Sequence, residues 1–198
     1  MALAAIGLAG CTTERVTEPT QTATEQLLVS TAVDRAVDTL NAPLKPGAKV
    51  FLDPQFFDAS DVNVILPKYT VGAVRDWLLK HGAHLVDDRK TAEVIVELRN
   101  GAQSIDHKSL LVGIPSIPVP IPLAGTITTP ELALFKRDRQ NGISKIAITA
   151  YDARDGGLTA SSGAHYGRSE KTGWTVLLAF SWDTQNIMPE DIHAPPPD

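Results

Sequence analysis

Cysteine is almost missing from this chain of 198 residues, which holds one, Cys11. With one thiol, no disulfide within the chain can brace the fold, and zinc sites built on cysteine pairs are excluded. Basic residues are also in deficit, 18 Lys and Arg against 23 Asp and Glu, for a net charge of −5. No long basic run offsets that balance, which argues against nucleic acid or anionic lipid headgroups as main partners. The apolar opening, Met1 to Gly10, contains no Lys or Arg and is too short to span a bilayer as a helix. Ser-x-x-Lys occurs nowhere, and no Gly-rich phosphate loop leads into a helix. What remains is ordinary globular composition, 43% hydrophobic and 21% charged, enough for a real core and about right for one domain.

Leu8-Ala9-Gly10-Cys11 closes the apolar opening at the sole cysteine and resembles the lipobox of bacterial lipoproteins. The resemblance implies cleavage between Gly10 and Cys11, diacylglycerol on the sulfur and an acyl chain on the new amine. Several acyl chains, at ~0.8 kcal/mol per buried CH₂, hold a protein durably where one is marginal. A lipidated Cys11 leaves no thiol for catalysis. In lipoproteins sorted by the following residue an Asp retains the protein at the inner membrane. Thr12 therefore points to the periplasmic face of the outer membrane. The leader is short of a positive n-region and of an h-region of about 7–15 residues, so a start upstream of Met1 is the expectation.

Residues 1–10 thus read as a truncated or short lipoprotein signal, 11–22 as a polar, lipidated tether, 23–187 as one domain and 188–198 as a disordered tail. Thr22-x-x-Glu25 forms a capping-box pattern, and Val29, Val33, Ala36, Val37 and Leu40 make an apolar stripe that predicts a helix to Leu40. Lys49 to Asp53 reads as a buried strand. Thr70 is expected to cap a second helix with Val71, Val74 and Leu78 facing in, ended by Gly82. His84 to Val86 and Ala92 to Arg99 read as further strands. Leu132 to Arg137 and Ile143 to Tyr151 read as two strands parted by a turn at Asn141-Gly142. Asp155-Gly156-Gly157 is a hairpin signal before a strand from Leu158 to Arg168. Trp174, Val176, Leu178, Phe180 and Trp182 alternate as one closing strand. These elements predict an α/β fold, a mixed sheet of about five to seven strands with two helices on one face.

Leu110 to Gly125 is the oddest stretch, with prolines at 115, 118, 120 and 122 between Ile, Val and Leu. Proline forbids a helix or central strand there, and an extended polyproline-like arm is expected. The preferred placement folds the arm over the domain's own core; the other exposes it as a partner or membrane contact. If exposed, Ile114, Pro115, Ile117, Pro118, Val119, Pro120, Ile121 and Pro122 are the candidate contacts.

Catalytic and metal patterns are poor. Lys171-Thr172-Gly173 and Ser60-Asp61-Val62-Asn63 resemble two boxes of penicillin-interacting serine enzymes, in the wrong order. Ser161-Ser162-Gly163 lacks the preceding glycine of a nucleophile elbow. His81 and His84 are separated by helix-ending Gly82. Asp58, Ser60, Asp61 and Asn63 lack EF-hand spacing. His165 with Asp152 or Asp155 is the best hydrolytic candidate. No catalytic residue, metal or cofactor is assigned.

The fragments Lys49-Val50-Phe51-Leu52-Asp53, Gly82-Ala83-His84-Leu85-Val86 and Thr91-Ala92-Glu93-Val94-Ile95-Val96 resemble those of a small α/β domain of envelope lipoproteins. That domain occurs in the curli-secretion-pore lipoprotein, in penicillin-binding-protein activators and at the amino terminus of the Tol translocation protein. With Leu27-Leu28-Val29-Ser30, Ile114-Pro115-Ser116-Ile117-Pro118 and the closing aromatic run, the whole chain is most similar to an uncharacterised family of bacterial outer-membrane lipoproteins. The pore lipoprotein's membrane-crossing hairpins are not evident. The expectation is a non-enzymatic binding or envelope-assembly module, attached to the membrane by its lipid and facing an envelope protein partner. A small-ligand binding protein or hydrolase, and a self-associating structural lipoprotein forming homo-oligomers, are the alternatives.

Overall fold

The computed structural model describes residues 21–57, 65–121 and 125–188. Gly10, Cys11, most of the tether, Asp58 to Asn63, Pro122 and the tail beyond Met188 lie outside the described residues.

Helix α1, Ala23–Asp38, opens on the expected capping box: the Thr22 hydroxyl accepts from the Glu25 amide, and the Glu25 carboxylate accepts from the Thr22 amide. Strand β1 is Lys49–Asp53, helix α2 Ile65–Lys80 and strand β2 His84–Leu85. Gly82, at φ +83, ends α2 in the left-handed conformation expected of it. A single 3₁₀ turn, Arg89–Thr91, leads into β3, Val94–Ile114. The short strands β4, Pro118–Ile121, and β5, Gly125–Thr128, precede β6, Leu132–Asp152. Strands β7, Leu158–Val176, and β8, Phe180–Gln185, close the fold.

Six strands form one mixed sheet in the order β2-β1-β3-β6-β7-β8, curled into a half-barrel, and β4 and β5 pair separately. β2, β1 and β3 are parallel, and β3, β6, β7 and β8 are antiparallel. Both helices share one core with the sheet, built from Val33, Val37, Val74, Trp77, Leu78, Val96, Leu98, Ile146 and Ile148. Even-numbered β6 residues from Gly142 to Ala150 are buried on this helix-bearing, inner face. Odd-numbered ones turn to the outer face, because successive strand side chains alternate.

Several sequence expectations are corrected. Asn141-Gly142 is no turn: β6 runs through it. A Cβ on Gly142 would collide with the Leu28 carbonyl oxygen, so the glycine lets α1 press onto the strand. Thr70 does not cap α2 but lies inside it, fully buried, where its hydroxyl accepts from Gln103. Pro67 falls in the first turn of α2, where proline costs no internal hydrogen bond. The Trp174 to Trp182 run is not one strand. It is the end of β7 and the first half of β8, folded back at Leu177 to Ala179. The alternation survives because Trp174 opposes Trp182 and Val176 opposes Phe180, and opposed residues share a face.

The proline segment is also corrected. It does not fold over the core: Ile114, Pro115, Ile117, Pro118, Val119 and Pro120 are all exposed. Nor is it all polyproline-like. β3 continues to Ile114, and Pro118 to Ile121 pairs with Thr128 to Gly125. The strand is possible because Ile117 and Thr129 exchange the bonds that set the register. Val119 then faces its partner's backbone, and Pro118 and Pro120 fall on the outer edge, where no donor is required.

Candidate functional site

His165 and its proposed partners are not gathered into a catalytic set. His165 contacts the Thr39 hydroxyl through Nδ1 at 3.0 Å and the Ser162 carbonyl through Nε2 at 2.8 Å. The Asp152 carboxylate is engaged by Arg154, which holds its pKa down at about 2. Asp155 accepts from the Gly157 amide. His81 stacks on Trp77, with Nδ1 2.8 Å from that residue's carbonyl oxygen. Lys171-Thr172-Gly173 lies within β7, and Lys171 pairs with Asp183 at 3.2 Å. Among the described residues, no three His, Cys, Asp or Glu side chains converge as a metal site would need.

Two other arrangements carry charge. Between the helices a concavity of about 470 Å³ is lined by Asp34, Asp38, Tyr69, Asp76 and Lys80. The Tyr69 hydroxyl donates to the Asp34 carboxylate at 2.8 Å, and burial together with that carboxylate pushes the phenol up to about 12. Lys80 closes on Asp76 at 2.6 Å. On the outer face, Arg89 bridges the buried Asp53 carboxylate and the Tyr151 hydroxyl, and Tyr151 donates to Glu97. This chain of bonds ties the 3₁₀ turn to β1, β3 and β6, as a clamp would.

The feature that stands apart is the end of the sheet farthest from the packed core. β3 and β6 are each 21 residues long, on the order of 70 Å when extended. They therefore overrun the helices and project as a ribbon, widened by the end of β7 and by β8 and tipped by the β4–β5 hairpin. Most of the exposed large apolar side chains collect here: Leu110, Val112, Ile114, Ile117, Val119, Ile127, Leu132, Leu134, Leu177, Leu178, Phe180 and Trp182.

The ribbon's two faces differ. On the outer face Val112, Phe135, Val176 and Phe180 lie in one row across the four strands, and Leu110, Arg137, Trp174 and Trp182 in the next. Trp174 sits between Phe135, Trp182 and the Arg137 guanidinium, 5.8 Å from its ring. The third row is Lys108, Arg139, Thr172 and Thr184. The inner face at the same level carries Ser109, Asp138, Gly173 and Asp183, then Leu111, Lys136, Thr175 and Ser181. Lys136 pairs there with Glu131 and Asp138.

Of the residues expected to make contacts, the described ones from Ile114 to Pro120 do belong to this projecting end. The sequence reading missed Leu110, Val112, Leu132, Leu134, Leu177 and Leu178. Alternation of Leu110-Val112-Ile114 and of Leu132-Leu134 was the available signal, overshadowed by the prolines that follow.

This architecture defines a mixed α/β domain with a two-helix layer and a projecting amphipathic ribbon. The chain belongs to the family of unknown function DUF6655, whose model matches residues 5–188. No curated protein matches it.

Proposed function

We propose that this chain is a membrane-anchored, non-enzymatic binding or assembly module of the bacterial envelope. It is held by lipid at Cys11 to the periplasmic face of the outer membrane and offers its projecting end to an envelope protein. The observation that carries the reading is the clustering of exposed apolar side chains at that end, including Ile114, Ile117 and Val119 of the proline segment. Monomeric soluble proteins rarely expose a contiguous apolar patch larger than a few hundred Å². The His165 contacts described above favour no hydrolytic role.

The test joins two measurements on the native protein. Mass spectrometry of the mature amino terminus is expected to find an acylated Cys11 as first residue. Whole-cell crosslinking is expected to lose its partner adducts when Ile114, Ile117 and Val119 become alanine, with stability changed by no more than about 0.5 kcal/mol. A retained Met1 with unmodified Cys11 would sink the anchor, and unchanged adducts would sink the contact.

A second reading, self-association, draws on the strand edges. β8 borders the sheet, and β1 covers β3 only from Val94 to Glu97. Such edges pair readily with another chain.

A further inference from the structure

We infer that the outer face of the projecting ribbon is a bilayer-contact surface that takes phospholipid directly, acyl region and headgroup together. The inference rests on the anchored-module reading above and gives one face of the same end its own ligand.

The first argument is the order of side chains along the outer face. The turn Leu177-Leu178 and the row Val112, Phe135, Val176 and Phe180 are wholly apolar. The next row brings two tryptophans and Arg137, and the row after it Lys108 together with Arg139, whose guanidinium is paired with Glu170 at 2.7 Å. Acyl chains, interface and phosphate meet a protein surface in that sequence: hydrocarbon first, amphipathic rings and cations at headgroup level. Val112 to Lys108 covers only ~14 Å, which suits an element entering the headgroup–acyl boundary by about 5–10 Å.

Strands β3 and β6 are long enough to cross, and it is the sheet's short border strand and open edges that decide against it. A membrane-spanning strand needs about 9–11 residues, and β8 has six. The β4–β5 pair is a separate two-stranded ribbon, and its open edges would leave backbone groups unpaired in hydrocarbon. The ribbon seats in the bilayer surface without traversing it.

The second argument is where the chain enters. Thr22 and Thr24, at the start of α1, line one groove with Thr175 and Ser181, the residues flanking the Leu177-Leu178 turn. Residues 12–21 reach at most roughly 35 Å. That groove is on the inner face, so the chain enters across the ribbon from the proposed surface, within tether reach of the end that carries the apolar turn. It places the anchor near that end and leaves the choice of face to the side-chain order.

The third argument is the turn itself. Leu177 and Leu178 have φ of 51° and 66°, the left-handed region that glycine and asparagine favour. Ala179 donates to the Val176 carbonyl at 3.4 Å across it. Two strained leucines point outward, 61% and 56% exposed, at a place where Asn-Gly would form the turn without strain.

The test uses the full chain carrying Cys11→Ser, which cannot be acylated. The apolar residues 1–10 are retained in every variant, so it is the binding lost in the turn variants that belongs to the surface. It is floated with vesicles of phosphatidylethanolamine and phosphatidylglycerol, and with phosphatidylcholine vesicles for comparison. Tryptophan emission is recorded with acyl-brominated lipid. The protein is expected to float with the anionic vesicles, to shift its emission to the blue and to be quenched by bromine. Leu177→Ser, Leu178→Ser and Phe180→Ser together are expected to lower partitioning by more than about tenfold. Leu177→Asn with Leu178→Gly, chosen to preserve the hairpin, is expected to weaken binding in the same direction. Lys108→Gln with Arg137→Gln should reduce the preference for anionic vesicles.

Protein left at the bottom of both gradients, or binding unaltered by the turn variants, overturns the inference. So does a dimer abolished by the serine variants in protein that ignores vesicles, since the face would then be a self-interface. Because Cys11 is replaced throughout, an unlipidated native chain leaves this result untouched. An acylated chain with an inert face removes the surface and spares the anchor.

Discussion

Two glycines and two leucines hold much of this molecule's logic at the residue scale. Gly142 and Gly167 lie in β6 and β7 beneath α1, where a Cβ on either would overlap a helix carbonyl oxygen, of Leu28 and of Ala32 respectively. Ser169 completes the contact by donating to the Leu28 carbonyl at 2.5 Å. Helix backbone therefore rests almost directly on strand backbone, a closeness no larger residue allows. Gly167→Ala is expected to destabilise the domain by about 2–4 kcal/mol, since packed backbone cannot yield as a flexible side chain would. Chemical denaturation checks this, and a cost below about 1 kcal/mol would mean that α1 sits farther from the sheet. Leu177 and Leu178 present the opposite case, side chains larger than their backbone conformation favours. Their persistence at an exposed turn is the residue-level sign that stability was not what shaped it.

At the scale of elements, replacing Leu177-Leu178 by Asn-Gly is expected to stabilise the β7–β8 hairpin by about 1–2 kcal/mol, read as a raised thermal midpoint. A lowered midpoint would show that the leucines support the fold. That hairpin also shows which elements were legible in the sequence. The capping box Thr22-x-x-Glu25 and the stripe Val29 to Leu40 located α1 because helix signals are local and concentrated at the ends. Gly82 located the end of α2 for the same reason. Strand ends were harder. Asn141-Gly142 has the composition of a turn, yet its glycine answers to a helix more than a hundred residues earlier, a cause no local window contains. The prolines at 118 and 120 implied the loss of a ladder, but spacing by two puts both on the outer edge, where strand pairing tolerates them. The Trp174 to Trp182 alternation correctly grouped the side chains on one face. It could not reveal the reversal at Leu177, because opposed positions across a tight hairpin keep the same parity.

For the whole molecule, the sheet divides into a half covered by helices and a half that projects. The covered half has a continuous core from Val33 to Ile148 and accounts for stability. The projecting half contributes little to that core and places apolar, aromatic and basic rows in sequence on one face, with polar groups on the other. This division was only partly visible in the sequence, where the proline segment advertised an unusual end but the amphipathic rows depended on a register across four strands. The entry of the tether beside that end supports one orientation, projecting ribbon toward the bilayer and the Asp152 to Gly157 turn away from it. The single native cysteine makes this orientation measurable. In a Cys11→Ser background, nitroxide spin labels at Leu178→Cys and, separately, Asp155→Cys are compared by power saturation on vesicles of phosphatidylethanolamine and phosphatidylglycerol. The account predicts that the label at 178 becomes accessible to oxygen and shielded from a water-soluble nickel chelate, with the label at 155 unchanged. Equal exposure of both labels to the chelate would contradict it.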